Sequence, residues 1–185
     1  MKRFNADFLK NFLIFLLLLV FLIGWTLFVH KTGIDNLVEK VGVTNGYLLV
    51  ALAGASGGLS GLTASGFLAV LISFAMGGLN PFLLGLIGGS ALFLGDSFFY
   101  YLGRKGGEVA RPFLKKWIKK FSDFIESKSL WMVRSFVFLY FSFAPLPNDI
   151  IVIPLGMAGY DFKKFFLFAW AGNIFFVFWV SLFFA

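Results

Sequence analysis

The sequence predicts an all-α integral membrane protein that crosses the bilayer several times. Hydrophobic residues make up 59% of its 185 residues and charged residues only 14%, whereas a soluble domain has about 25% charged residues. This leaves too little polar surface to cover a compact water-soluble fold of this size. Apolar stretches of membrane-crossing length recur along the chain, so we expect a single membrane domain over 1–185. Within it we predict two oppositely oriented re-entrant helical hairpins, each followed by a spanning helix, which together form an inverted repeat.

The distribution of basic residues predicts which parts of the chain face the cytoplasm. Nine of the 16 lysines and arginines lie between Arg104 and Arg134, accompanied by three acids, whereas 41–95 contains no charged residue. Basic loops tend to stay on the cytoplasmic side of a membrane. We therefore expect a multi-pass protein with a cytoplasmic N-terminus, and the absence of organelle signals favours the plasma membrane. The basic segment and the 161–164 turn, which carries two lysines, should face the same side.

The first spanning segment is predicted over 12–29. It is an uncharged run of 18 residues, which at about 1.5 Å per residue is just long enough for a hydrocarbon core of about 30 Å. Its basic start resembles a signal peptide, but the residues that follow, from His30 to Thr32, form no small-residue cleavage site. We expect the segment to be retained as an anchor, with 30–46 on the outer side.

The first re-entrant hairpin is predicted over 47–76, before a spanning helix over 82–102. Each glycine inside a helix costs about 1 kcal/mol relative to alanine, and backbone groups freed by a break cannot face lipid. The hydroxyls of Thr63 and Ser65 lie in the interrupted part, so both are candidate substrate-binding residues. Tight helix packing through small residues is the alternative interpretation. The interrupting glycines are Gly54, Gly57, Gly58, Gly61 and Gly66.

The second half of the chain repeats this plan, with a hairpin over 135–157 and a last span over 165–185. Both flanks of the hairpin are basic, so it should enter the membrane from the cytoplasmic side and return there. The spacing from the predicted break to the following glycine turn is also the same in both halves, since Gly66 precedes Gly78 by 12 residues and Pro147 precedes Gly159 by 12. Inverted repeats with broken helices are typical of transporters, with the site near the bilayer midplane. The polar and proline residues of this second break are Pro145, Pro147, Asn148 and Asp149.

An amphipathic helix is predicted between the two halves, over 108–128. Its apolar residues recur at helical spacing, and four lysines between 115 and 120 occupy the other face. Such a helix can lie on the inner membrane surface with its lysines near anionic head groups. A solvated face that only follows the topology rule is the alternative. No nucleic-acid partner is expected, because no recognition fold accompanies the basic residues.

Two acids fall at membrane depth, where ionisable groups are costly and are functional candidates. Asp96 shares one helical face with Tyr100 and Arg104 at positions i+4 and i+8. The alternative for Asp96 is a structural salt bridge or a hydrogen bond at a helix end. Asp149 precedes an apolar run, and burial of an acid disfavours its charged form, so it could exchange protons near neutral pH. An N-cap of the hairpin's second helix is the alternative role for Asp149.

No catalytic constellation accompanies these acids. The chain has no cysteine, and His30 is its single histidine. It also lacks metal-ligand spacing and a phosphate-binding loop followed by lysine and serine or threonine. We therefore predict that the protein is not an enzyme, and that it needs no metal or other cofactor.

Two motifs resemble the DedA family of membrane proteins, also called VTT or SNARE-associated proteins. The residues Gly95-Asp96, Tyr100 and Gly103-Arg104 match its G-D-x-x-x-Y-x-x-G-R element. The stretch Phe143-Ala144-Pro145, followed by Pro154 and Gly156-Met157, resembles its second motif. The spacing of Pro145, Pro147 and Asp149 is most similar to the YqaA-type branch. The resemblance covers about residues 47–185.

Family membership implies a two-hairpin fold that moves polyprenyl phosphate or phospholipid across the bilayer, as a flippase or scramblase, with evidence of proton coupling. Many members carry arginines where this chain has Ser142 and Asn148. They also place an acid and prolines in the first hairpin, which this chain lacks. The resemblance thus implies that Arg134, Arg104 or hairpin N–H groups bind the phosphate instead.

Three functional hypotheses follow from the sequence. The first is a lipid transporter whose partners are anionic or phosphorylated lipids and protons, and with which a homo-oligomer is compatible. The second is a transporter or channel for a small ion or solute that uses the same hairpins. The third is a membrane scaffold without transport, for which changes at Asp96 and Asp149 would matter only through stability.

Overall fold

The chain folds into a bundle of helices, and no β-strand occurs among the described residues. The computed structural model describes residues 16, 20, 23–25, 27–28, 30–31, 33, 36–57, 61–108, 112–144 and 147–185. Its helices are α1 (Leu37–Val41), α2 (Val43–Gly57), α3 (Gly61–Met76), α4 (Pro81–Glu108), α5 (Pro112–Glu126), α6 (Leu130–Phe143), α7 (Asp149–Met157) and α8 (Phe166–Phe184), with a 3₁₀ turn at Phe162–Lys164 before α8.

Two helices in the described part of the chain are long and apolar enough to cross a membrane. They are α4, through its apolar segment Pro81–Gly107, and α8. The other apolar helices have 9 to 16 residues, which at about 1.5 Å per residue is less than the roughly 30 Å of hydrocarbon. Most of the predicted first span, 12–29, lies outside the described residues. Trp25 from that segment donates a hydrogen bond from Nε1 to Oγ of Ser73, at 3.3 Å.

The two long helices pack against each other through glycines of α4. A Cβ added to Gly89 would lie 2.6 Å from the backbone nitrogen of Ile174. One added to Gly85 would lie 2.6 Å from Cβ of Phe178. Absence of these side chains lets the two helix backbones approach closely, as small residues do at helix interfaces in membranes. Helices α4 and α8 therefore form the centre of the bundle.

Helix α2 packs along the first half of α4. A Cβ added to Gly54 would lie 3.0 Å from the Gly88 carbonyl oxygen, and one added to Gly57 would lie 2.8 Å from Cβ of Phe67 in α3. The close-packing interpretation therefore accounts for Gly54 and Gly57. Gly61 and Gly66 both belong to α3, so neither of them interrupts a helix as expected. The fifth glycine, Gly58, lies outside the described residues.

Helix α7 packs along the second half of α4, and α6 packs along α8. A Cβ on Gly103 would lie 2.6 Å from the Ile153 carbonyl oxygen, and one on Gly156 would overlap the Tyr100 carbonyl. On the α8 side, a Cβ on Gly172 would lie 2.7 Å from Cβ of Phe141. Helix α2 thus borders one half of α4 and α7 borders the other half.

The two halves of the chain contain the same turn at the corresponding position. After α3, Gly78 has φ of +87° and the Leu79 N–H donates to the Phe74 carbonyl at 3.1 Å. After α7, Gly159 has φ of +70° and the Tyr160 N–H donates to the Leu155 carbonyl at 3.1 Å. This is the Schellman helix end, whose left-handed residue favours glycine.

A side-chain cap follows each of these turns. The Oδ1 atom of Asn80 accepts the Phe82 N–H at 2.9 Å, and the Oδ1 atom of Asp161 accepts the Lys163 N–H at 3.0 Å. Such caps satisfy N–H groups that have no partner within the first turn of a helix. Both turns therefore end one helix and start the next in the same way.

Two apolar clusters of buried side chains fill the ends of the bundle. The first joins α1, α2 and α3 to the start of α4 and includes Phe67, Leu71 and Phe74. The second joins α6 and α7 to the end of α4 and the start of α8, and Tyr100 and Phe165 belong to it. The polar residues described below lie between these two clusters.

Several helices extend further than the sequence suggested. Helix α4 continues to Glu108 rather than ending at 102, because the charges that begin at Arg104 lie on a helix that projects past the apolar segment. Helix α6 begins at Leu130 rather than 135, since Ser129 caps it by accepting the Met132 N–H at 3.2 Å. The amphipathic helix, expected over 108–128, is α5 in the described structure.

Candidate functional site

A buried cluster of three polar side chains joins the second hairpin to both long helices. Asn173 of α8 donates from Nδ2 to Oδ2 of Asp96 in α4, at 2.7 Å. Asn148, which immediately precedes α7, donates from Nδ2 to the same oxygen at 2.9 Å and to Oδ1 of Asn173 at 3.0 Å. Asp96 is 3% exposed and Asn173 is fully buried. Two amide donors on one carboxylate oxygen stabilise its charge in a place that water does not reach.

The cluster lies close to the middle of the longer spanning segment. Asp96 is near the centre of the 27 residues from Pro81 to Gly107. From this level α7 runs beside α4 towards its basic end, where Met157 lies against Gly107. The start of α7 therefore lies about halfway along α4, and its end lies near the basic residues.

Two further polar groups at the second hairpin are buried without a hydrogen-bond partner among the described residues. They are Oδ1 of Asp149 and Oγ of Ser142, and the side chain of Ser142 is 0% exposed. Asp149 is also close enough to Asp96 and Tyr140 to interact with both electrostatically. A buried polar atom without a partner costs about 1–3 kcal/mol, so these atoms are available to a ligand or a proton.

Asp149 does not cap the helix that follows it, so the N-cap alternative is wrong. It is the first residue of α7, and Asn148 occupies the cap position. The side chain of Asn148 makes no capping hydrogen bond, because it is directed towards Asp96 and Asn173. A carboxylate in the first turn of a helix is nevertheless favoured by the helix dipole.

Tyr100 and Arg104 do not belong to this cluster, although they share a helix with Asp96. The Tyr100 hydroxyl donates to the Tyr160 carbonyl at 2.6 Å, and Tyr100 is fully buried. Arg104 interacts with the Tyr100 phenol and is exposed at the basic end of α4. Burial raises the pKa of the Tyr160 phenol above its ordinary value. Asp96 forms no ion pair among the described residues, so the salt-bridge alternative has no support there.

Arg134 lies at the basic end of the second hairpin. Its Nε donates to the Lys164 carbonyl at 2.9 Å. The guanidinium carbon lies 5.8 Å from the ring centroid of Trp131 and 5.4 Å from that of Phe168, within the range of cation–π contact. Arg134 is therefore held between the start of α6 and the start of α8, at a distance along α6 from the Asp96 cluster.

A family model described as the VTT domain matches residues 63–185, which is more than half of the chain. The chain belongs to the VTT domain family. The resemblance drawn from the two sequence motifs is confirmed by this match. Neither the curated proteins nor the solved structures contain a match to the chain. As a VTT-domain protein with two apolar helices of spanning length, it is a membrane protein.

The VTT domain contains all the candidate residues, but they are not all brought together. Thr63 donates from Oγ1 to the Gly57 carbonyl at 3.3 Å, which links α2 and α3 at the first hairpin, and Ser65 is exposed on α3. The Pro147 carbonyl accepts a hydrogen bond from the Tyr140 hydroxyl at 3.1 Å. Pro145 lies outside the described residues. Of the predicted set, Asp96 and Asn148 belong to the hydrogen-bonded cluster, and Asp149 lies beside it without a hydrogen bond to it among the described residues.

Asn173 and Ser142 are members of the site that sequence analysis missed. Asn173 is the single amide in the apolar α8 sequence, and a polar residue at that depth is a functional candidate by its cost alone. Ser142 was noted only as a position where many DedA proteins carry an arginine, because a serine can bond to the backbone of its own helix and its hydroxyl alone is no signal. Asn173, which completes the hydrogen-bonded cluster, could therefore have been found from the sequence, whereas the role of the Ser142 hydroxyl could not.

The chemistry of the cluster favours binding of protons or small cations over binding of phosphate. Together with the adjacent Asp149 it supplies two carboxylates and two amides and, within the described part of the chain, no basic side chain. Like charges repel at short range in a site of low dielectric constant. In the same described part, no group of three or more histidine, aspartate or glutamate residues could hold a metal ion. Basic groups for an anionic ligand lie elsewhere, at the ends of α4 and α6.

Proposed function

We propose that this VTT-domain protein moves lipid across the bilayer as a DedA-type flippase or scramblase. The cargo is a phospholipid or a polyprenyl phosphate, and proton exchange at Asp96 and Asp149 is coupled to its movement. The proposal is carried by one observation, namely the buried polar cluster at the point where the second hairpin meets both long helices. Polar residues within an apolar bundle are costly, and in membrane proteins they mark transport pathways and proton relays.

We further propose that both hairpins are re-entrant. The second hairpin has its two ends near the basic turn, since Arg134 bonds to Lys164 and Ser122 of α5 contacts the Ala158 carbonyl. Asn148, just before α7, bonds to Asp96, so α7 begins at the level of Asp96. A helical pair that turns at mid-membrane leaves backbone and side-chain polar groups there, which suits a transport site.

The matching turns support an inverted repeat in which the first hairpin enters from the opposite side. Tyr47, near the start of α2, accepts the Asn80 N–H at 3.1 Å, so α2 begins where α3 ends. Gly57 at the end of α2 lies near Leu92, towards the middle of α4. The two hairpins thus approach the centre of α4 from its opposite ends, as expected for halves related by a two-fold axis in the membrane plane.

The charge distribution supports a cytoplasmic N-terminus and a cytoplasmic α5, and the resemblance to the DedA family supports the plasma membrane. On α5 the lysines are exposed, and Trp117 and Phe124 are also more than half exposed. Aromatic rings beside lysines suit a helix that lies at the surface of a membrane containing anionic lipid. We also place the chain in the YqaA-type branch on the spacing of Pro145, Pro147 and Asp149.

A lipid-flip assay in proteoliposomes, with and without a pH gradient, tests the proposed function. The wild-type protein should move a fluorescent lipid between leaflets faster in the presence of a gradient. The variant Asp149→Asn should remove this movement while leaving the fold intact. Asp161→Asn is the matched control, because Asp161 caps the turn before α8 and lies outside the cluster. Flipping by Asp149→Asn at the wild-type rate would exclude Asp149 from the mechanism.

Transport of a small ion or solute is the second candidate, and the acidic character of the cluster favours it. Two carboxylates with no basic partner among the described residues suit a cation better than a phosphate. Flux of a soluble tracer without any movement of lipid would support this function and would overturn lipid transport. A tracer flux that accompanies lipid movement would support the coupled lipid transporter.

A further inference from the structure

An apolar groove of about 600 Å³ runs between α6 and α8 on the surface of the second half. One turn of each helix forms its walls, and the groove lies open to the side of the bundle. Leu139 and Leu167 are more than half exposed there, at 55% and 53%. The lining residues are Ser135, Phe138, Leu139, Leu167, Phe168 and Ala171. In a membrane this groove faces lipid, so an acyl chain can enter it from the bilayer.

Cationic side chains stand at one end of the groove. Phe168 belongs to the groove wall, and the Arg134 guanidinium lies over its ring. Arg134 uses only Nε for hydrogen bonding within the described part of the chain, so its two terminal nitrogens can bind an acceptor. Lys163 and Lys164 are exposed in the adjacent turn. A phosphate at this end would meet a planar guanidinium, which binds phosphate through two parallel hydrogen bonds.

The groove extends along α8 from Leu167 to Ala171. Asn173, two positions later, is fully buried and lies on a different face of α8, so the groove is separate from the polar cluster. From the basic surface inwards, Arg134 therefore comes first and the apolar groove follows. An apolar groove with a cation at one end is complementary to a lipid molecule that has an anionic head group and an apolar acyl chain.

We propose that this groove is a binding site for an anionic phospholipid, with the phosphate at Arg134 and an acyl chain between α6 and α8. The inference rests on the proposed function, for which it names the position at which cargo binds from the cytoplasmic leaflet. Binding combines burial of an apolar chain with a charge-assisted contact at the head group. The volume lies within the range of about 300–1,000 Å³ usual for small-molecule sites.

Photolabelling of the full-length protein in vesicles tests the site directly. The vesicles contain phosphatidylcholine with a small fraction of phosphatidylglycerol whose acyl chain carries a photoreactive group. In wild-type protein, the labelled peptides should contain 135–139 and 167–171. Leu139→Trp and Ala171→Trp fill the groove and should each lower this labelling several-fold. Leu94→Trp is the matched control, because Leu94 is 66% exposed on α4 and does not line the groove.

The head-group contact is tested with a second pair of variants and a second probe. Arg134→Gln should lower labelling by phosphatidylglycerol several-fold and leave labelling by a photoreactive diacylglycerol, which has no phosphate, unchanged, whereas Arg134→Lys should recover part of the loss. Lys128→Gln is the control, since Lys128 is exposed and stacks on Phe124. Inorganic phosphate in excess should not compete, because the proposed ligand is held by its acyl chain as well.

The outcomes separate this inference from the proposed function. Labelling that is spread evenly over α4 and α8, and that the groove variants do not change, would overturn the groove as a binding site even if the protein flips lipid. Groove labelling by a wild-type protein that flips no lipid would support the site and overturn the proposed transport. Loss of both labelling and flipping in Leu139→Trp and Ala171→Trp, with Leu94→Trp unaffected, would support both.

Discussion

Asn173 donates a hydrogen bond from Nδ2 to Oδ2 of Asp96 at 2.7 Å, and this bond links the two long helices inside the bundle. Neither side chain has access to bulk solvent, so each depends on the other and on Asn148. Replacement of one partner leaves the remaining polar groups without their hydrogen bonds in an apolar bundle. The cluster thus contributes to both stability and function, and different substitutions can separate the two.

Asp96→Leu should destabilise the protein, because it removes the acceptor of both Asn148 and Asn173. An unsatisfied buried donor costs about 1–3 kcal/mol, so we expect a clearly lower unfolding temperature in detergent. Asp96→Asn keeps an oxygen that can accept these bonds and should lose much less stability. Equal loss in the two variants, measured by thermal unfolding, would contradict the role of the acceptor.

The charge of Asp96 should matter separately from its hydrogen bonds. If proton exchange at this carboxyl is coupled to transport, Asp96→Asn should remove the effect of a pH gradient on lipid flipping in proteoliposomes while the protein stays folded. Asp123→Asn is a suitable control, because Asp123 is exposed on α5. A flipping rate in Asp96→Asn that still responds to the gradient would show that the carboxyl is dispensable for coupling.

Gly156→Val should be among the most damaging glycine substitutions. A side chain at Gly156 would collide with the backbone of α4 at Tyr100, and neither helix can move away without breaking other contacts. Overpacking of this kind typically costs about 1–3 kcal/mol or more. Gly106→Val is the matched control, since a Cβ at Gly106 meets no atom within 4 Å. Yield of monodisperse protein and its unfolding temperature measure both variants, and similar values would contradict the close contact of α4 and α7.

Tyr100→Phe should lower stability by about 1 kcal/mol through loss of its buried hydrogen bond. The Tyr100 hydroxyl donates to the Tyr160 carbonyl at 2.6 Å and ties the end of α4 to the turn after α7. Tyr101→Phe serves for comparison, because Tyr101 is half exposed on the next position of the helix. Thermal unfolding of the two variants should differ, and a Tyr100→Phe protein as stable as Tyr101→Phe would mean that this bond contributes nothing.

Cysteine labelling tests the proposed re-entrant path of the second hairpin, and the chain has no natural cysteine to interfere. The exposed positions Lys128 and Lys163 flank the hairpin, and Asn45 lies before the first one. With an impermeant maleimide on intact cells, Asn45→Cys should react, whereas Lys128→Cys and Lys163→Cys should react only after the membrane is opened. Reaction of Lys128→Cys and Lys163→Cys from opposite sides would mean that the chain between them spans the bilayer.

Much of the helical framework could be predicted from composition and charge. Helices α4 and α8 follow from apolar stretches of membrane-spanning length, and the amphipathic α5 follows from its lysine spacing. The exact ends of the helices were harder to predict. Ser129 sets the start of α6 through a single capping hydrogen bond, and a hydrophobic pattern does not contain that information. Gly54 was assigned to a possible break, whereas its role depends on the position of Gly88 in another helix.

The candidate site was predictable one residue at a time but not as a cluster. Asp96 and Asn148 stood out because each is polar within an apolar context. Their hydrogen bond joins residues 52 positions apart, and a single sequence does not report such a distance. The helical column of Asp96, Tyr100 and Arg104 was correct as a shared face, but only Asp96 reaches the cluster, because the other two lie further towards the basic end of α4.

One long helix, α4, forms a wall for both hairpins, with small residues along its whole length where other backbones touch it. Because other helix backbones lie so close to α4, this helix cannot tilt or slide at one end while its other end stays fixed. A shift of α2 near Gly54 that moves α4 must therefore also change the contact of α4 with α7 near Gly156. The packing of the first half of the chain is in this way mechanically connected to the packing of the second half through a single rigid element.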